Sequence, residues 1–207
     1  MFFPFAKSES FISWIPPESI PIIILLVSLV GVTIIIERLV FFWRLKPISQ
    51  DDFRKVRELA RESKWDEGRD LLAHKSQSPA SILLQLAFDL KRRNIPYLED
   101  DVRQEGYRQV SLMEKYLTSL GTIATIGPLL GVLGTVVGIV RSFAEGMGSK
   151  GAELGISEAL YTTAMGLAVA IPAYVFYNYF SKSKEERIVE MENVTELVLP
   201  YLTEERK

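Results

Sequence analysis

The chain has 207 residues, 24 Lys+Arg against 26 Asp+Glu, and a formal charge of −2, values that an ordinary soluble domain shows too. That length excludes a large multidomain enzyme, and the pI of about 5.6 excludes the basic excess of a dedicated nucleic-acid binder. Zero Cys excludes disulfides, thiolate metal sites and cysteine nucleophiles, and the mean hydropathy of +0.14 beside 24% charged residues requires that charge and apolar character be segregated along the chain.

Residues 1–19 carry a single Lys or Arg, Lys7, and precede Ile20–Ile36, an uncharged run of 17 residues that continues through Glu37-Arg38 into LVFFW and ends at Trp43. The span 20–43 reads as a first transmembrane helix, kept as an anchor because Trp43-Arg44-Leu45-Lys46-Pro47 offers no small-residue cleavage site. Glu37-Arg38 reads as an interfacial ion pair with a structural role. Residues 44–117 read as a cytoplasmic helical domain. Ser49 before Asp51-Asp52 is an N-cap for a helix carrying Phe53, Val56, Leu59 and Ala60, and Trp65, Leu71 and Leu72 mark a second short helix, interrupted or bent near Gly68. Ser78-Pro79 opens a third helix with proline at its first position. From Tyr97 no strong stop appears before Pro128, so one helix is expected to run into the second span, about 65 Å if continuous to Val140.

Thr118–Val140 holds 23 residues without a charge and Ala159–Phe180 holds 22. At this charge content a given window of the longer length is charge-free with a probability of only roughly 0.002, and the length is that of a membrane span. Transmembrane helices are expected at 118–141 and 157–180, joined by an outer connection at 142–156 and followed by a cytoplasmic C-terminal helix at 181–207. The fold class is therefore an all-α integral membrane protein with three transmembrane helices and long helices extending into a cytoplasmic helical domain. Lys and Arg set the orientation: fifteen lie in 44–117 and five in 181–207, against one in 142–157. The N-terminus is outside and the C-terminus inside.

The second span carries Gly127, Gly131, Gly134 and Gly138, whose small-xxx-small spacing predicts close packing against another helix. Pro128 and Pro172 each remove a helical hydrogen bond, and Pro128 is expected to kink its helix. Thr135 is explained as well by a bond to its own backbone. In the third span Glu158 is the single ionisable carboxylate or base between Gly155 and Phe180. Two readings of it stand level: an intramembrane carboxylate on an ion path, or an interfacial residue favoured at a helix N-terminus. At about 100° per residue, Thr162, Met165, Val169 and Pro172 share its face, and Thr163 points away. A carboxyl with one neighbouring hydroxyl can begin a proton relay. His74 reads as a solvated side chain. No nucleotide loop, metal-spaced cluster or hydrolase motif is present, so neither enzymatic chemistry nor a cofactor or metal is expected.

LGTIATIGPLLGVLGTVVGIVRSF (120–143) and ISEALYTTAMGLAVAIPAYVFYNYF (156–180) resemble the MotA/TolQ/ExbB proton channel family, and Glu37-Arg38 is similar to it too. Three spans, a short outer N-terminus and Glu158 favour the ExbB/TolQ branch, with ExbB preferred; the flagellar branch has four spans and lacks this glutamate. The resemblance implies a bacterial inner-membrane homo-pentamer around a dimer of a single-span ExbD/TolR-like subunit with an essential Asp. It also implies a TonB/TolA-like transducer that carries proton-driven motion to the outer membrane. The family's channel glutamate falls on Glu158, its threonines on Thr135 and Thr163, its prolines on Pro128 and Pro172, and its inner Tyr-Asn on Tyr177-Asn178. It further implies that the third helix begins earlier, near Gly148. Helical geometry selects Thr162 beside Glu158 and the resemblance selects Thr163; both stay candidates, as do H⁺ and Na⁺, although a lone carboxylate with few oxygens around it suits H⁺. A non-conducting membrane scaffold is the rival from another class.

Overall fold

The computed structural model describes residue 16 and residues 19–73, 78–144 and 150–203; His74 lies outside them. Among the described residues all regular structure is helical: α1 (Ser19–Arg44), α2 (Gln50–Arg61), α3 (Trp65–Ala73), α4 (Pro79–Arg92), α5 (Leu98–Glu114), α6 (Leu117–Ala144) and α7 (Lys150–Thr203). Three helical stretches are long and apolar enough to cross a membrane: α1, the α5–α6 stretch up to Phe143, and α7. The chain divides into two compact units, one formed by residues 1–37 and 118–178, the other by 38–117 and 179–207.

In the first unit α1, α6 and α7 pack around Ile20, Ile24 and Val137, with Leu130, Met165 and Val169 against them. Leu25, Leu29, Leu129, Val136, Leu160 and Ile171 stand exposed on the same three helices, the apolar surface that spanning helices turn to lipid or to one another. Both α6 and α7 are continuous, through Pro128 and Pro172 respectively. Within 142–156, α6 extends to Ala144 and α7 begins at Lys150.

The second unit has an ordinary helical core: Val56 and Ala60 of α2, Leu72 of α3, Leu84 and Phe88 of α4, Val102 and Met113 of α5, and Met191, Val194, Val198 and Leu202 of α7. The C-terminal part of α7 is thus a wall of this domain. Ser49 and Ser78 precede α2 and α4 as N-caps, and Pro79 stands in the first turn of α4, but neither serine closes a side-chain cap. The Ser78 hydroxyl instead donates to Glu190 Oε1 at 3.4 Å, and the same oxygen accepts the Ile48 amide at 2.5 Å. Asn94 takes a positive φ of 52° after α4, and the amides of Asn94 and Ile95 return to the carbonyls of Lys91 and Leu90, closing the helix end with a left-handed residue that asparagine tolerates.

Two expectations are corrected. α3 is not interrupted at Gly68. It runs through it, and the glycine is there for space, since a Cβ would lie 2.8 Å from Cε1 of the buried Phe88 ring. The helix from Tyr97 is not continuous into the second span either. It stops at Glu114 and restarts at Leu117, with Lys115 extended (ψ 127°) and Tyr116 left-handed (φ 65°). The physical reason is Arg38, 2% exposed, whose guanidinium donates to the carbonyl of Leu112 at 3.0 Å and of Met113 at 3.4 Å. A continuing helix would bond those two carbonyls to the amides of Tyr116 and Leu117. The guanidinium also sits 4.3 Å from the Phe41 ring centroid and 5.6 Å from that of Tyr116.

Candidate functional site

The site is built on the seam between α6 and α7. Gly127, Gly131, Gly134 and Gly138 recur at steps of four, three and four residues, which holds them on one stripe of the helix. Opposite them α7 presents Gly155, Ala159, Thr162, Gly166 and Ala170, again three or four apart. A Cβ on Gly138 would lie 2.6 Å from the Ala159 Cβ, one on Gly131 3.0 Å from the Thr163 Cα, and one on Gly127 3.0 Å from the Ala170 Cβ. Gly166 is as constrained from the other side, where a Cβ would lie 2.6 Å from the Gly127 carbonyl oxygen. The pairs run in opposite senses along the two helices, so α6 and α7 are antiparallel and their backbones touch. Gly155, Gly166 and Ala170 were not distinguishable in the sequence: small residues are common throughout the spans, and only the facing stripe shows which of them pack.

That closeness permits a hydrogen bond between the helices. Thr163 donates from Oγ1 to the Gly131 carbonyl at 3.0 Å. In a continuous helix that carbonyl also receives the amide of Thr135, so Thr163 and Thr135 lie on either side of one acceptor. Thr135, half-buried, donates to Val132 O at 2.7 Å, and Thr162, 6% exposed, donates to Ala159 O at 2.7 Å.

Glu158 lies eight residues into α7, which begins at Lys150, and therefore does not cap that helix. Its side chain is exposed and lines a cavity of about 900 Å³. The other walls are Ile20, Pro21 and Ile22 of α1, the α6 stretch with Gly134, Val137, Gly138, Arg141 and Ser142, and the α7 residues Ser157, Tyr161 and Thr162 among others. Thr162 shares this cavity with Glu158; Thr163 and Thr135 do not line it and meet instead at Gly131, farther along the seam. Tyr177 packs against Gly121, where a Cβ would stand 3.0 Å from its Cε2, and Asn178 donates to its own helix at Tyr174 O, 2.9 Å. Arg141 is a cavity residue that the sequence pattern does not single out. The signal is its place: it closes the uncharged run of α6 as Glu158 opens that of α7, and antiparallel packing brings two such positions together. Among the described residues no three His, Cys, Asp or Glu side chains gather as a metal site would require.

The model of the MotA/TolQ/ExbB proton channel family matches residues 75–193, more than half of the chain and all of the α6–α7 seam. The chain belongs to this family. Relatives place it in the ExbB/TolQ branch. An ExbB-like biopolymer transport protein of Synechocystis sp. is 34% identical over 161 residues, 74% of this chain and 76% of that one. The biopolymer transport protein ExbB of Aquifex aeolicus is 34% identical over 100 residues, 44% of this chain and 67% of that one. The Tol-Pal system protein TolQ of Haemophilus influenzae is 42% identical over 79 residues, 36% of this chain and 35% of that one. As an ExbB/TolQ-type proton channel subunit with three apolar helices, it is a multi-pass membrane protein.

Proposed function

We propose that this chain is the stator subunit of an ExbB-ExbD-like motor in a bacterial inner membrane. It uses the proton motive force to energise outer-membrane transport through a TonB-like protein. Membership of the branch implies a single-span ExbD/TolR-like partner and a TonB/TolA-like transducer. The pentameric ring and the partner dimer in its pore are parts of the same reading; so are the outside N-terminus and the cytoplasmic C-terminus, which the distribution of Lys and Arg supports. The role is mechanical and conductive, not enzymatic. The TolQ likeness favours envelope maintenance as the second reading.

The observation that carries the proposal is the position of Glu158: inside a helix, not at its end, and open to a cavity beside the hydroxyls of Ser157, Tyr161 and Thr162. A carboxylate on a membrane-spanning helix is tolerated where it faces water or a partner, and there it can take up and release a proton. Thr163 and Thr135, joined through the Gly131 carbonyl, continue the polar groups along the seam toward the partner's Asp. Each charge crossing the whole potential releases about 2.3 kcal/mol per 100 mV, enough to break and remake a few polar contacts in a small step. The test is proton uptake by liposomes holding the chain with and without its single-span partner. Glu158→Gln is expected to assemble normally and to abolish uptake; undiminished uptake in that variant would overturn the reading.

A further inference from the structure

Among the described residues, the cavity onto which Glu158 opens has one other charged wall residue, Arg141. Its place in the last turn of α6 has an ordinary explanation, a cation at the negative end of a helix. That explanation covers its position along α6 but not the direction it faces, which is into the Glu158 cavity. The charged and titratable groups described there come from two helices: Arg141 from α6, Glu158 and Tyr161 from α7; the described lining residues of α1 are Ile20, Pro21 and Ile22.

The two charges differ in kind. A guanidinium keeps its proton at every physiological pH, so the cavity holds a permanent positive charge. The carboxyl of Glu158 exchanges its proton. An ion that is to dwell beside Glu158 must therefore do so in a cavity that Arg141 also lines. A metal cation brings its full charge and its need for several oxygen ligands, and repulsion by a fixed cation in the same cavity works directly against it. A proton delivered along water and the hydroxyls of Ser157, Tyr161 and Thr162 ends as a neutral carboxylic acid, and the cavity is left with the arginine charge alone. The proton later leaves Glu158 as it came, to a water or to an acceptor carboxylate, and restores the anion.

We propose that Arg141 is a specificity-determining residue that keeps metal cations out of the Glu158 cavity and leaves the proton as the ion the carboxylate takes up. This rests on the reading of Glu158 as the conducting group. It is tested with the full chain and its single-span partner in liposomes, measuring proton and sodium uptake together in sodium-free and sodium-containing buffer. The native complex is expected to take up protons unaffected by sodium. Arg141→Gln is expected to admit sodium, or to let sodium suppress proton uptake, by about fivefold or more, the factor that loss of roughly 1 kcal/mol of repulsion gives. Arg141→Lys, which keeps the charge, is expected to behave as the native protein. If Arg141→Gln remains blind to sodium while Glu158→Gln abolishes uptake, the inference about Arg141 fails and the function stands. Uptake that survives Glu158→Gln removes the function itself. Sodium uptake by the native complex overturns the inference without recourse to any variant.

Discussion

Arg38 donates through its guanidinium to the carbonyl of Leu112, 74 residues away, at 3.0 Å, and reaches Met113 beyond it. The arginine thus serves as the cap of α5, supplying donors to the two carbonyls that the left-handed turn at Tyr116 strips of amides. Arg38→Met keeps most of the stem volume and removes those donors. It is expected to lower stability by about 1.5–3 kcal/mol, the range for hydrogen bonds made by charged groups. Arg38→Lys is expected to recover part of the loss. Thermal unfolding in detergent measures both. Amide exchange over residues 112–117 should accelerate in Arg38→Met, and unchanged exchange there would argue against the cap.

Two glycines of the helical domain predict opposite signs for one substitution. In Gly68→Ala the new Cβ meets the buried Phe88 ring at 2.8 Å, and overpacking of about 1–3 kcal/mol outweighs any gain in helix propensity. In Gly106→Ala the nearest atom is Leu83 Cδ2 at 3.9 Å, an ordinary contact, so the helix gains up to about 1 kcal/mol. Melting temperatures should fall in the first and rise in the second. A rise in both would mean that Phe88 moves aside freely.

The fold class was legible because charge is so unevenly placed: two runs of more than twenty residues without a charge leave little choice but membrane helices. Helix starts at Gln50 and Pro79 were legible from Ser49 and Ser78-Pro79, since caps are local chemistry. The break after Glu114 was not, because neither Lys115 nor Tyr116 opposes a helix and the group that stabilises the break comes from α1. At the site, Glu158 stood out as an acid at the edge of an apolar run. Its relation to the hydroxyls did not, because Thr162 and Thr163 are adjacent in sequence. The structure gives them different partners: Thr162 bonds within α7 and lines the cavity, while Thr163 bonds across to α6.

Glu105 links the stability of the helical domain to pH. Both its oxygens accept from Arg108, at 2.7 and 2.6 Å, and Gln109 adds a third bond at 2.6 Å. The Arg108 hydrogen bonds hold this carboxyl below its ordinary value against the opposing effect of burial. A carboxyl depressed in the folded state stabilises the fold above the unfolded value, about 4.3 for glutamate, and the stabilisation disappears as pH falls through the lower folded value. Arg108 is largely solvent-exposed, so the effect stays within about 1 kcal/mol. Glu105→Gln should therefore melt slightly earlier than the native protein at neutral pH, and the gap should close under acid conditions. A gap that persists in acid would assign the effect to packing.

The bond from Thr163 to the Gly131 carbonyl is a polar link between α6 and α7, and its strength is measurable apart from conduction. Thr163→Val preserves the shape and removes the donor, while the Gly131 carbonyl keeps the amide partner that a continuous helix provides. The loss is therefore the net value of one interhelical bond in an apolar setting, about 0.6 kcal/mol and at most about 1.7. Thr135→Val is the matched control, because the Thr135 hydroxyl bonds within its own helix, to Val132 O at 2.7 Å. A bond of that kind slightly opposes ideal helix geometry, so its removal should leave the melting temperature level or marginally higher. Thr163→Val should melt below both Thr135→Val and the native chain in the same detergent, and Thr163→Ser should restore the native value. Equal melting of the two valine variants would mean that the glycine seam alone holds the helices together and that the Thr163 hydroxyl is free to serve the proton path.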